Sequence, residues 1–496
     1  MIKIKIKKII FVLSIFSAFL IVTNKFGTSS NFSKSSKLVW YVKPCLPIPI
    51  DPKMESHFTN LYALYFASQD PQIKSLDIVV QNCDWTIPIM QEIFIIINSF
   101  KSNKKIVTIW ANGVDTNIFP VFQNCSKRVL SHDSSVFLHG FSIVNYFQQN
   151  KLEKKKINVW GVQIGDFKGG LASDLSNEFG YYDAANCLAF IQDISAQIKE
   201  YIAFAMSVDL HKVESWFNVA YFSSKDILKE GFADALGVYH PEKNEMTLEK
   251  YSAKISQHMR YSKNNVPVVF IDPVITYPRS VVFANKLNAI ANDQSIKTVI
   301  LYIRSFGGST AGCNLVYDAI LNLKNNGKYV IAFVDCAYSA AYHIASGADK
   351  IFARAGSGVG SIGVYGKFIE MDENLKKKGI NVDGVYTHEP AFMRFPALTN
   401  KQKEFFIADV KIAYKQFINV VMNNRKIDSN LIEDIAQGQI FTGVAAKKLK
   451  LVDSLRGFEG MIELLFALYK GDQFNFVFLP NVKMWQELEA AGPLSI

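Results

Sequence analysis

Lys328-Tyr329-Val330-Ile331-Ala332-Phe333-Val334 runs without a break into Asp335-Cys336-Ala337-Tyr338-Ser339-Ala340-Ala341-Tyr342-His343-Ile344-Ala345-Ser346-Gly347. The first seven residues are β-branched, aromatic and apolar, the pattern of a strand buried on both faces. The next thirteen are mostly small and suit a tightly packed helix, with Gly347 in the place of a C-cap. Ser339 therefore falls where a strand hands over to a helix. A hydroxyl there is presented at the sheet edge, beside the free N–H groups and positive potential of a helix N-terminus. Gly356-Ser357-Gly358-Val359-Gly360-Ser361-Ile362-Gly363-Val364 follows and reads as a loop that lets backbone approach closely. Ser339 is the candidate nucleophile.

At 496 residues the chain has room for two or more domains. Its 49% apolar and 20% charged content describe globular protein. Half of the net charge of +10 comes from Lys3, Lys5, Lys7, Lys8 and Lys25, so the excess belongs to one terminal segment. No stripe of basic and aromatic residues argues for nucleic acid. Ile9–Thr23 carries no charge and follows four lysines, which reads as a signal peptide or short membrane anchor, an uncleaved anchor being preferred. The positive-inside rule keeps the lysines in the cytoplasm and sends the rest of the chain across the membrane. The six cysteines, at 45, 83, 125, 187, 313 and 336, show no metal-ligand spacing, and no metal or cofactor is expected.

From residue 41 the chain repeats itself. Strand-like Ser75–Val80, a helical run to Phe100 and strand-like Lys105–Ala111 are matched by Lys297–Tyr302, a helix around Leu315–Leu323 and Lys328–Val334, and aligning Lys105 with Lys328 sets an offset of 223. Strands alternating with helices imply parallel pairing in an α/β fold. A period this long is a domain duplication and not a solenoid. The expected division is a membrane segment 1–25, a tether 26–40, a first repeat 41–236, a helical connector 237–265, a second repeat 266–470 and a tail 471–496. At the offset of 223 Ser339 projects onto Thr116, while Lys168 in Gly165-Asp166-Phe167-Lys168 projects onto Ala391. One half holds a candidate nucleophile and the other a candidate base, so the site is expected between the halves.

At these residues the chain resembles the signal peptide peptidase A (protease IV) family in its long tandem form, over roughly residues 60 to 460. Ser305-Phe306-Gly307-Gly308 is similar to the family's R-x-x-S-P-G-G turn, and Ala337-Tyr338-Ser339-Ala340-Ala341-Tyr342 to its A-S-G-G-Y nucleophile segment. Gly360-Ser361-Ile362-Gly363-Val364 matches G-S-I-G-V. Arg425, Gly438, Thr442-Gly443 and Leu451-Val452-Asp453 match its C-terminal pattern, and Gly165–Lys168 the G-x-Y-K that carries the base. Three departures stand out: Tyr302 replaces arginine, Phe306 replaces proline, and Ala340-Ala341 replaces Gly-Gly.

The resemblance implies two crotonase/ClpP-like repeats of the β-β-α spiral type and a membrane-anchored serine endopeptidase. Serine needs a base to become nucleophilic, and lysine serves only when burial or positive potential keeps it neutral. The implied roles are Ser339 as nucleophile, Lys168 as general base and Ser361 as the group that orients the lysine. Gly308 and Ala340 would supply the oxyanion N–H groups. Also implied are remnant signal peptides as substrates, a homotetramer, and a single-pass protein of the inner membrane facing the periplasm. Ala340-Ala341 and Phe306 are what would favour the alternative, a catalytically impaired scaffold. A crotonase-type acyl-CoA hydratase shares the fold, but the export signal counts against it. His343 lies one helical turn after Ser339 and is expected to pack or hydrogen-bond and not to form a Ser-His pair.

Overall fold

The computed structural model describes residues 36–42, 53–81, 83, 85–259, 262–271, 273–385, 387–388 and 397–479. The expected membrane segment, Cys45, Ala391 and residues 480–496 lie outside them. No helix among the described residues is long and apolar enough to cross a membrane.

Mixed α/β architecture is observed, with two six-stranded, largely parallel sheets. The first orders its strands Met246–Thr247, Lys37–Val42, Ser75–Val80, Ile106–Ala111, Lys127–Leu130 and Ala235–Leu236, all parallel. The second runs Asn475–Leu479, Asn265–Ile271, Thr298–Ser305, Tyr329–Tyr338, Lys350–Gly360 and Ile440–Thr442, of which only the last is antiparallel to its neighbour. Residues 475–479 thus belong to the second sheet, which extends past the expected boundary at 470 because Asn265–Val269 pairs with them residue for residue.

Two local expectations need correction. The strand that begins at Tyr329 continues to Tyr338, and the helix after it is only Ala340–Ser346. Asp335 is the reason. The register shifts there, Asp335 Oδ1 accepts a hydrogen bond from Thr86 at 2.9 Å, and Cys336, Ala337 and Tyr338 pair with Gly358, Val359 and Gly360. The glycines at 356, 358 and 360 accordingly lie in the Lys350–Gly360 strand and not in a loop. They serve close approach: a Cβ on Gly356 would meet Ile87 at 2.5 Å, and one on Gly358 would overlap the Tyr338 hydroxyl.

One core cluster is built from residues 269–479 alone, while a second joins the two halves. Phe58, on the Lys53–Gln69 helix, packs among Phe270, Tyr302, Phe333, Phe458, Phe476 and Phe478 of the second half, with ring centroids 5.1–6.5 Å away. A fully buried aromatic ring contributes roughly 1.5–3 kcal/mol by burial alone. Glu92 and Arg354, both buried, form an ion pair at 2.6 Å across the same boundary, and the Phe458 N–H donates to Glu92 at 2.8 Å. Finally, Asn158–Ile164 from the first half pairs antiparallel with Val364–Glu370 from the second. This two-stranded ribbon carries the first half's lysine to the edge of the second sheet.

Candidate active site

Ser339 sits in the single residue between the Tyr329–Tyr338 strand and the Ala340–Ser346 helix, with φ +55° and ψ −123°. Such a conformation costs a non-glycine residue on the order of 1–3 kcal/mol and persists only where neighbours over-determine it. They do so here. The Ser339 N–H donates to the Gly360 carbonyl at 2.8 Å, and its own carbonyl accepts from the His343 N–H at 3.0 Å. Gly307, at φ +99°, lies so close that a Cβ there would stand 2.8 Å from the Tyr338 oxygen and 2.9 Å from Ser339 Cβ.

Ser361 follows Gly360 directly and also has positive φ, +51°, its N–H held by the Gln439 carbonyl at 2.6 Å. The two serines are thereby locked to one another through Gly360. Gln437 and Gly438 then clamp the loop that carries Lys168. Gln437 accepts from the Phe167 N–H at 2.8 Å, and the Gly438 N–H donates to Ile362 at 2.9 Å. A Cβ on Gly438, at φ +91°, would stand 2.6 Å from the Lys168 backbone nitrogen. No larger residue fits between the lysine loop and the serine strand.

Lys168 is 4% exposed. Its Nζ donates to Ser339 Oγ at 2.9 Å, to Ser361 Oγ at 2.9 Å and to the Ser361 carbonyl at 2.8 Å. Burial, with no carboxylate to offset it, brings the amine from 10.5 down to about 7. A lysine so placed is neutral in a large fraction of molecules near neutral pH and can take a proton from the serine it touches. The structure thus brings Ser339 and Ser361 within hydrogen-bonding reach of the Lys168 amine. Thr116, the residue 223 positions before Ser339, is buried elsewhere and donates to the His139 carbonyl at 2.7 Å.

These three residues line a cavity of about 640 Å³ together with Gly308 and Ala340. Ala340 opens its helix, so its N–H has no intrahelical partner. Gly308, at φ +149°, is pressed against Ile275, where a Cβ would stand 2.2 Å from the carbonyl oxygen. Of the departures from the family pattern, Ala341 is wholly buried in the core and does not line the cavity, so its methyl group leaves the site open. Phe306 is 69% exposed at the cavity, stacked on Tyr338 at 6.1 Å. Tyr302 is buried in the aromatic cluster around Phe58.

His343 stacks on Phe417 at 5.1 Å with Nδ1 3.4 Å from Cys313 Sγ, and burial lowers it to about 4, so it is neutral. It is a packed residue of the cavity wall. The other wall, formed by Asp183, Asn186 and Cys187 of the Tyr181–Met206 helix, carries no motif and escaped the sequence reading. Among the described residues no group of His, Cys, Asp and Glu could hold a metal ion.

Residues 322–470 match peptidase family S49. Protease 4 of Haemophilus influenzae is 24% identical over 448 residues, 82% of this chain and 72% of the relative. Protease 4 of Salmonella typhi is 24% identical over 420 residues, 78% of this chain and 68% of the relative. A chloroplastic serine protease SPPA of Arabidopsis thaliana is 21% identical over 83% of this chain and 65% of its own length. The matches over most of the chain include the segment that carries Lys168 as well as the one that carries Ser339.

Proposed function

We propose that this chain, a serine peptidase of family S49 belonging to the signal peptide peptidase A (protease 4) family, works through a Ser339–Lys168 dyad that Ser361 orients. The observation that carries the reading is the Lys168 amine, buried and 2.9 Å from Ser339 Oγ. Neutral Lys168 takes the hydroxyl proton as Oγ attacks the scissile carbonyl, and the N–H groups of Gly308 and Ala340 receive the oxyanion. Lys168 then passes the proton to the leaving amine, and a water, deprotonated by the same lysine, releases the acyl group from Ser339. Ser361, which touches the lysine amine twice, keeps its lone pair aimed at the nucleophile.

Hydrophobic peptides, remnant signal peptides among them, are the proposed substrates, reached by a chain anchored through residues 1–25 with its bulk on the periplasmic side. The two halves are proposed to be copies of one unit, assembled as a homotetramer of tandem chains. In support of the duplication, strands starting at Ser75, Ile106 and Lys127 correspond to strands starting at Thr298, Tyr329 and Lys350, each at an offset of 223. The test of the dyad is an acylating fluorophosphonate with mass mapping, alongside hydrolysis of internally quenched peptides. Label is expected on Ser339, and Ser339→Ala should abolish both label and hydrolysis without lowering the Tm. Hydrolysis surviving in that variant would overturn the assignment.

A further inference from the structure

We infer that Asp183 is a specificity-determining residue which pairs with a cationic group of the bound peptide, a lysine or arginine side chain or a free α-ammonium. The inference rests on the peptidase reading and goes beyond it.

Asp183 lies in the first turn of the Tyr181–Met206 helix, in the cavity wall that also holds Asn186 and Cys187. Its carboxylate is seated on Gly169, where a Cβ would stand 2.7 and 2.8 Å from its two oxygens. Gly169 follows Lys168 directly, so the carboxylate faces the same space as the dyad. A larger residue at 169 would displace it. Among the described residues Asp183 is the only acid that lines the cavity. Other titratable groups there are uncharged in the enzyme ready to react: Lys168 is the free base, His343 is neutral, and burial pushes the Cys187 and Cys313 thiols up.

No described side chain or backbone N–H pairs with this carboxylate, and burial alone raises its pKa. The helix N-terminus offsets part of that cost. A partly buried carboxylate whose desolvation the protein leaves uncompensated is a binding site for a cation brought by the substrate. Lys168 cannot fill that role, since its amine is engaged with Ser339 and Ser361.

The test uses the full chain and internally quenched peptides in which lysine replaces norleucine at one position at a time, the cut bond being checked by mass. At one position lysine should raise kcat/KM by at least about tenfold, the range of a charge-assisted hydrogen bond. Asp183→Asn should bring the ratio close to one while Asp183→Glu keeps it. The acid limb of the pH profile should stay in place in both, which separates this role from an effect on Lys168. A Lys-to-norleucine ratio unchanged by Asp183→Asn at every position, or a displaced acid limb, overturns the inference. Fluorophosphonate labelling of Ser339 is scored in the same samples: label without a lysine preference removes only this inference, whereas failure to label removes the peptidase reading with it.

Discussion

The pKa of Lys168 makes a quantitative test of the dyad. Burial lowers the amine from 10.5 to about 7, a difference of roughly 3.5 in pKa. At pH 7 an ordinary lysine would be neutral in about one molecule in 3000, whereas this one is neutral in about half. The fold therefore raises the population of usable base by about three orders of magnitude. The plot of kcat/KM against pH should fall tenfold per pH unit on the acid side, bend near 7 and stay level above about 8. Lys168→Arg should be inactive throughout, because guanidinium keeps its proton. The same burial acts on stability. Since the folded pKa lies below the unfolded one, the unfolded chain holds the extra proton between about 7 and 10.5, and stability climbs with pH across that window. Below about 7 the cost is fully present, on the order of 5 kcal/mol. Lys168→Met removes the amine and should be the more stable protein at neutral pH, with a flatter pH dependence of denaturant midpoint. Initial rates from pH 5.5 to 9.5, with urea melts at the same pH values, measure both. A profile level across pH 5.5 to 8.5, or hydrolysis by Lys168→Arg, would show that the lysine is not the base.

Gly438→Ala should disturb the site from outside it. The residue has φ +91° and its new methyl group would meet the Lys168 backbone at 2.6 Å, so the loop must move and kcat should drop by about tenfold to a hundredfold with a lower Tm; unchanged kinetics would mean that the clamp is slack. The proposed topology predicts that protease added outside right-side-out vesicles reaches the chain beyond Lys25, and protection of the C-terminal half would contradict it.

Parallel α/β architecture was legible along the chain because buried strands and capped helices are local patterns. The Ser75–Val80 strand has the bounds read from its residues, and the helix expected around Leu315–Leu323 is Thr310–Asn325. Ser339 at a strand-to-helix junction was legible for the same reason. The extent of the elements around it was not: glycines at 356, 358 and 360 look like a loop, and only pairing with Cys336–Tyr338 makes them strand. That the halves share a core cluster was not legible, since nothing along the chain announces that Phe58 completes an aromatic cluster of the other half. What tertiary structure alone decided is the chemistry of Lys168. The residue stands 171 positions from Ser339, and its identity says nothing of its protonation. Its reach depends on Gly165, Gln437 and Gly438 closing on one another, and its neutrality depends on the water that this closure removes. Motifs are carried by neighbours in sequence, whereas desolvation is a property of everything that surrounds a group in space.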